Sequence, residues 1–340
     1  MSRIQARKDA PYVVGIDLGG TNVRAAVVDQ DEKILARHEN SSDAKAGAEH
    51  TVARIGDAVR GAVAEAGVKI EDIAAIGIAV PGHINVPEGV VIWGPNFGHY
   101  EDGKYLPFKA VPLRDMVEAE LGTAMVMDND ANVAALGEYR YGAGRGTKHL
   151  VMFTLGTGIG GGILVDGEVL RGATGGAAEV GHIIIAAGVG SSQNGAHGRL
   201  ESLAGRDPIC ERAALKMESG RATKLWDNVQ TTDSLQVILT PKMIDDAALA
   251  GDALAIEVME EIGFFVGLGI ANMINVFNPE VVVLGGKISR SETLFQTALR
   301  AARANAIGSI LASARIVRAE LGDDAGIMGA AELASREAGR

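Results

Sequence analysis

Two segments of this chain repeat one pattern: an apolar run, a corner almost free of side chains, a second β-prone run and an aspartate. The first is Val13–Asp29, VVGIDLGGTNVRAAVVD, and its partner is Leu150–Asp166. A shift of 137 residues places Val14 on Val151, Leu18 on Leu155, Gly19 on Gly156, Val28 on Val165 and Asp29 on Asp166. Apolar runs bounded by glycine predict strand, turn and strand in each copy. Several identities at one offset, in the same context, predict an internal duplication. The implied α/β architecture has two related domains, each contributing a phosphate-facing hairpin to a shared cleft.

The corners point to phosphate. Adjacent glycines at Gly19-Gly20 let backbone N–H groups converge without interference from Cβ atoms, which is how a loop cradles phosphate oxygens. Asp17 and Thr21 add a carboxylate and a hydroxyl, both useful near a magnesium-bound phosphate, with Asn22 beside them. An ordinary glycine-rich hairpin turn is the competing reading of that corner alone. In the second copy, Gly156-Thr157-Gly158-Ile159-Gly160-Gly161 matches the dinucleotide fingerprint G-x-G-x-x-G. That fingerprint needs a following helix whose N-terminus holds a pyrophosphate. Here a glycine loop over Gly156–Gly162 is followed by the β-run Ile163–Val165 and a turn at Asp166-Gly167, so the oxidoreductase reading is set aside.

Between and beyond the copies the pattern alternates strands with helices. Strands are expected at Ile34–His38, Ile73–Val80, Met125–Met127, Val281–Leu284 and Arg315–Ala319. Val52, Ile55, Val59 and Val63 recur at helical spacing and Gly67 ends their helix. Further helices are expected from Pro112 to Gly122, over Ala131–Tyr141, from near Glu201, over about Asp252–Val276, over Glu292–Arg303 and over Gly326–Arg336. Residues 83–110, rich in Pro, Gly and aromatics, read as a long irregular loop. Ala186–Gly198 reads as a flexible stretch.

Charge narrows the function classes. A net charge of −11 and a pI near 5.2 disfavour nucleic-acid binding, which rests on basic surface. Cys210 is the single cysteine, so no intrachain disulfide is possible, and a cytoplasmic location follows naturally. The opening MSRIQARKDA lacks the apolar centre of a signal peptide, and Ile262–Ala271 is too short to span a bilayer.

Several polar residues stand at predicted element ends. Asn129-Asp130 lies between a strand and a helix; both types cap helices well, and a carboxylate there can also take a proton from an attacking hydroxyl. Glu179 and His182 are three apart, and Glu201 follows; with Asn96 and Asn129 they form a set of acceptors and amides suited to vicinal hydroxyls. Singly, each also reads as a solvated or capping residue, and His182 as a core histidine or metal ligand. Gly285-Gly286, after an apolar strand, reads as a third close backbone approach, to a nucleotide base or ribose.

With these pieces in place, the sequence resembles the ROK family of sugar kinases, within the actin-like ATPase superfamily. The matching segments are DLGGTNVR at 17–24, GIAVPG at 77–82, GPNF at 94–97, DNDANVAALGE at 128–138, TLGTGIGGGILVDG at 154–167, GAAEVGH at 176–182 and VVLGG at 282–286. The resemblance implies two actin-like ATPase (ribonuclease H-like) domains with a cleft between them. The small one would span 1–127 plus about 323–340, the large one 128–322. It implies ATP-dependent phosphorylation of a hexose, glucose first, with N-acetylhexosamine, mannose or fructose as alternatives. Asp130 would be the catalytic base, and Asn96, Asn129, Asp130, Glu179, His182 and Glu201 would hold the sugar. Asp17, Gly19, Gly20, Thr21, Asn22, Thr157, Gly158 and Gly160 would surround the ATP phosphates, and Gly285 and Gly286 the nucleoside. Magnesium would arrive with ATP, with Asp17 near it, and polyphosphate is the alternative donor. Many relatives bind a structural zinc through a histidine and three cysteines. Here those cysteine positions fall on Ser192, Asn194 and Arg199, which supply no thiolate, so no zinc is expected. A homodimer is expected on base rates. Sugar-sensing repressors of the same family carry a DNA-binding domain ahead of this fold; about twelve residues precede the first strand here, too few for one.

Overall fold

The computed structural model describes residues 3–188, 198–228, 230–231 and 237–340. The chain forms two compact units: Met1–Gly146 with Glu168–Ala178 and Glu320–Arg340, and Thr147–Gly167 with Glu179–Ala319.

In the first unit, β1 (Tyr12–Leu18), β2 (Asn22–Val28) and β3 (Ile34–Ser41) form an antiparallel meander. β4 (Ile73–Val80) then pairs parallel with β1. Three strands outside this sheet follow: β5 (His83–Asn85), β6 (Val90–Glu101) and β7 (Lys104–Val111). β8 (Met125–Asn129) completes the main sheet in the order β3-β2-β1-β4-β8. Every residue of β4 is buried, as expected for a central strand covered on both faces. On one face, α1 (Ala48–Ala66) and α2 (Leu113–Leu121) bury Val52, Ile55, Val59, Val117 and Leu121 against Val14, Ile16, Ile76 and Ile78. Both helices end on a left-handed glycine, Gly67 and Gly122, which frees the last turn's carbonyls to be satisfied without Cβ strain. α3 (Asp130–Tyr141) follows β8.

The second unit repeats the sheet. β9 (Leu150–Leu155) and β10 (Ile159–Val165) form an antiparallel hairpin, and a short β11 (Glu168–Val169) follows. The chain continues through α4 (Leu200–Ala204), α5 (Arg206–Glu218), the paired two-residue strands β12 (Gln230–Thr231) and β13 (Val237–Ile238), α6 (Pro241–Leu249) and α7 (Ala253–Phe277). β14 (Val281–Gly285) then lies parallel to β9, and after α8 (Glu292–Asn305) and α9 (Gly308–Leu311), β15 (Arg315–Arg318) lies parallel to β14. The order β11-β10-β9-β14-β15 matches the first sheet strand for strand. Among the described residues, no helix is long and apolar enough to cross a membrane.

The last helix, α10 (Ala325–Glu337), returns to the first unit and packs on β1, β4 and α3. Its small residues Ala331 and Ala334 pack on Ala74 and Ala75 of β4 and on Val13 of β1. The approach is so close that a Cβ at Gly15 would lie 2.2 Å from Ile327 O, and one at Gly77 would lie 1.8 Å from Ala330 O. Glycine at these two positions is a steric requirement.

Three expectations change. Residues 83–110 are not an irregular loop: most form the β5-β6-β7 sheet, held by Phe97 packing on Phe108 with ring centroids 5.6 Å apart. Its register shifts between Gly94 and Gly98, a bulge that bends the strand and hides the period-2 pattern in the sequence. The second glycine loop is only Gly156–Gly158, because β10 begins at Ile159 and Gly160 pairs with Thr154 as a strand residue. The repeat also holds at offset 137 only along the first strand. Val14 pairs with Val27 but Val151 pairs with Ile163, so the second hairpin turn is one residue shorter and the Val28/Val165 and Asp29/Asp166 matches fall one position out of register. The first compact unit includes α3, which packs on α10, and runs to Gly146.

The α10 contact gives a direct test. Gly77→Ala must push α10 off β4 and should destabilise the protein by about 1–3 kcal/mol. Gly308→Ala, where an added Cβ meets nothing within 4 Å, should change stability by less than about 0.5 kcal/mol. Urea unfolding of both variants measures the difference.

Candidate active site

In the first unit the glycine corner closes β1 onto β2 through a hydrogen bond from Gly19 N to Asn22 O of 2.8 Å. Asp17 and Arg24 are cross-strand partners in this hairpin and form an ion pair. Burial works against the Arg24 charge, but the bond and charge of Asp17, with Asp323 and Glu39 beyond, raise its pKa above the ordinary arginine value. The Asp17 carboxylate also lies against the first turn of α10, 3.1 Å from where a Gly326 Cβ would stand. An anion there is favoured by the helix N-terminus. Asn22 turns its amide to Glu39 on β3. Asp17 therefore holds the hairpin and α10 together, with its charge already partnered by Arg24.

A cavity of about 420 Å³ opens beside the corner, lined by Gly20, Thr21, Lys45, Pro95, Asn96, Tyr100 and Tyr105. Asn96 sits inside the β6 bulge, which is what aims it here. The Tyr105 hydroxyl donates to Pro95 O at 3.2 Å, and burial, then the neighbouring Tyr100, pushes its pKa up.

The turn from β8 into α3 is fixed by its own side chains. Asn129 is the N-cap: its Oδ1 accepts from Ala131 N at 2.9 Å and Asn132 N at 3.3 Å, and its Nδ2 donates to Gly82 O at 3.0 Å. Asp128 is 1% exposed and accepts from Asn129 N at 2.7 Å, Asn132 Nδ2 at 3.1 Å and Arg171 Nε at 2.7 Å. Asp130, half-buried, is the first residue of α3. The sequence reading missed Asp128 and Arg171; the signal was the second carboxylate in the Asp-Asn-Asp run, which one helix start does not need.

In the second unit, Gly156 N donates to Gly158 O at 2.9 Å to close the shorter corner. Glu201, on α4, accepts from Ile159 N at 2.8 Å, so this expected sugar ligand braces the glycine corner. Glu179 and His182 are 3.7 Å apart, and Arg199 Nη1 lies 3.4 Å from His182 Nδ1. Leu200 N bonds Ile183 O at 3.0 Å, which brings Glu179, His182 and Glu201 into one neighbourhood. Arg199, at one of the zinc-family cysteine positions, thus meets the histidine directly; Ser192 and Asn194, with most of the Ala186–Gly198 stretch, lie outside the described residues. Among the described residues no three His, Cys, Asp or Glu side chains are placed to hold a metal ion. Burial pushes the Cys210 thiol up to about 11, so it is neutral near pH 7.

A larger cavity, about 650 Å³, borders Gly156 and Thr157 and runs between α6, α7 and the Lys287–Ser291 turn. Lys242, Lys287, Arg206 and Arg290 give it four basic groups against the carboxylates of Asp245 and Asp246, with Lys242 paired to Asp246 and Arg206 to Asp207, and Met259 and Ile288 give it apolar wall. Gly286, with φ +84°, is pressed against Leu155, 2.2 Å from its O to a would-be Cβ, so β14's end and the corner meet at this cavity. The backbone of Gly156 and Thr157 and the excess of basic over acidic side chains are what a triphosphate would meet here. Among the site residues, Asn96, Asn129, Asp130 and the first corner belong to one unit; Glu179, His182, Glu201, Thr157, Gly158, Gly160, Gly285 and Gly286 belong to the other.

The family model described as "ROK family" matches residues 13–337. A glucokinase of Halalkalibacterium halodurans is 32% identical over 96% of this chain and 96% of its own. A crystal structure of a ROK family glucokinase from Streptomyces griseus, in complex with glucose and AMPPNP, is 32% identical with a TM-score of 0.77, covering 96% of this chain and 99% of that one. A xylose repressor of Caldicellulosiruptor bescii is 30% identical over 87% of this chain and 71% of its own.

The Asp128 anchor is testable without substrate. Arg171→Met leaves a buried carboxylate without its cation and should cost about 3 kcal/mol. Arg3→Met, which removes an exposed pair with Glu337, should cost less than about 1 kcal/mol. Equal losses in denaturant unfolding would remove Asp128 from this role.

Proposed function

The chain belongs to the ROK family, and from that premise we propose that it transfers the terminal phosphoryl group of ATP to a hexose hydroxyl, with glucose as the first substrate and Asp130 as general base. It is a sugar kinase of the hexokinase type. The observation that carries the base assignment is the rigid turn at Asp128–Asp130. Asp128 and Asn129 are spent on Arg171, Gly82 and the helix start, so Asp130 is presented at a fixed position on α3.

In this reading the sugar hydroxyl gives its proton to Asp130 as its oxygen bonds to phosphorus, and the bond to ADP breaks. The attacking group needs both position and proton removal, and a half-buried carboxylate on a helix start supplies both. Glu179, His182, Asn96 and Glu201 take sugar hydroxyls; Glu201 keeps one oxygen on Ile159 N, coupling sugar recognition to the second corner. The two glycine corners and the basic groups of the larger cavity hold the triphosphate. Magnesium bound to the triphosphate would neutralise charge on its β- and γ-phosphates. A cytoplasmic location, where ATP is supplied, goes with this activity.

The test is ADP release coupled to a reporter over a panel of glucose, mannose, fructose and N-acetylhexosamines, with ATP or polyphosphate as donor. Glucose with ATP should give the highest kcat/KM. Asp130→Asn should lower kcat by about 10²- to 10⁴-fold while glucose binding changes little. Near wild-type turnover in that variant would end the base assignment, and no sugar-dependent turnover by the wild type would end the kinase reading.

A further inference from the structure

The smaller cavity holds a cation that the reading above does not use. Lys45 lines it together with Gly20, Thr21 and Asn96. Its side chain is exposed, and among the described residues its ammonium has no hydrogen-bond or ion-pair partner. Its backbone, in contrast, is tied on both sides. Ser42 N donates to Thr21 O at 2.9 Å, Gly98 N donates to Ala44 O at 2.8 Å, and Gly47 N donates to Gly98 O at 2.9 Å. Asp43 is pinned as well, by Ser41 Oγ at 2.7 Å and Arg54 Nε at 2.6 Å. Residues 42–47 are therefore a strap laid from the glycine corner to β6, and Lys45 stands at its middle.

We infer that Lys45, with the Gly20–Thr21 corner, forms a binding subsite for the phosphate of a phosphomonoester on the acceptor side, the phosphorylated sugar that the reaction produces. A fixed strap with an unpaired ammonium beside a backbone corner suited to anions has the chemistry of a phosphate subsite. The terminal phosphate of the donor, which the kinase reading also brings to this corner before transfer, is the other source of the same chemistry. The acceptor side is favoured because every lining residue belongs to the first unit, with Asn96 and the Tyr100 and Tyr105 rings supplying amide and ring surfaces for a sugar. The triphosphate has a cavity with its own basic groups in the second unit. The inference rests on the kinase reading for the identity of the phosphomonoester, but not for the existence of the subsite.

Calorimetric titration of the full chain tests it, using glucose 6-phosphate, inorganic phosphate, AMPPNP and glucose as separate probes. Lys45→Met should weaken glucose 6-phosphate about 10- to 100-fold, the usual range for a lost charged contact. It should weaken inorganic phosphate in the same direction and leave glucose within about twofold. Lys45→Arg should restore most of the loss. Product inhibition should weaken in parallel in Lys45→Met, with the KM for ATP nearly unchanged. If wild-type protein binds neither phosphate probe, or if Lys45→Met binds glucose 6-phosphate as the wild type does, the subsite is wrong. If AMPPNP weakens and glucose 6-phosphate does not, the lysine serves the donor and the acceptor-side assignment is overturned. Loss of phosphate binding in Lys45→Met with no sugar-dependent turnover in the wild type would sustain the subsite and reject the kinase reading.

Discussion

The close passage of α10 across β1 and β4 is the contact on which the first unit's chemistry depends. Two glycines on adjacent strands, Gly15 and Gly77, remove the side chains that would hold the helix at ordinary distance. Backbone then meets backbone, and the helix brings its first turn to Asp17 at the end of β1. The same helix packs along α3, whose first residue is Asp130. One element thus fixes both the first glycine corner and the proposed base, and it is supplied by the last fifteen or so residues of the chain. The steric cost of any Cβ at Gly77 shows how little slack that arrangement has.

Around this frame, carboxylates act first as structural anchors and only then as chemistry. Asp17 is committed to Arg24 and to α10, Asp128 to Arg171, and Glu201 to the backbone of Ile159. Each anchors a segment that carries a neighbour with a proposed direct role: the Gly19–Thr21 corner, Asp130 and the Gly156–Gly158 corner. A fixed neighbour loses less freedom when substrate binds, which is how such sites gain precision. Arg171 has a further consequence. It lies in Glu168–Ala178, a stretch that interrupts the second unit in sequence and belongs to the first in space, so the Asp128 pair stitches that stretch in place.

Much of this was legible. The apolar runs of β1, β4, β9 and β14 were read from their residues because buried central strands require continuous apolar sequence, and Gly67 and Gly122 marked helix ends because left-handed caps favour glycine. The duplication was visible too, and the two sheets share one strand order. The β5-β6-β7 sheet was not legible, since its bulge at Gly94–Gly98 breaks the alternation that a strand reading relies on. The same bulge is what delivers Asn96 to the smaller cavity. Likewise the match of Val28 to Val165 followed sequence identity, while the register follows turn length, and the second turn is one residue shorter.

The sequence alone determined the elements and the chemistry available at their ends, because strand and helix periods, glycine corners and carboxylates at junctions are local properties of the chain. It determined the family as well, since the motifs stand in order along nearly the whole length. Only the tertiary structure decided which of those groups meet. Asp17 with Arg24 needed the hairpin register, Asp128 with Arg171 needed contact across more than forty residues, and Lys45 became a cavity residue only when the strap was tied to Thr21 and Gly98. The opening repeat shows the division most clearly. Its glycines mark two corners of one kind, but hydrogen-bond register and packing, which no local pattern encodes, set one beside the Asp17 brace and the smaller cavity and the other at the rim of a cavity lined by more basic than acidic groups.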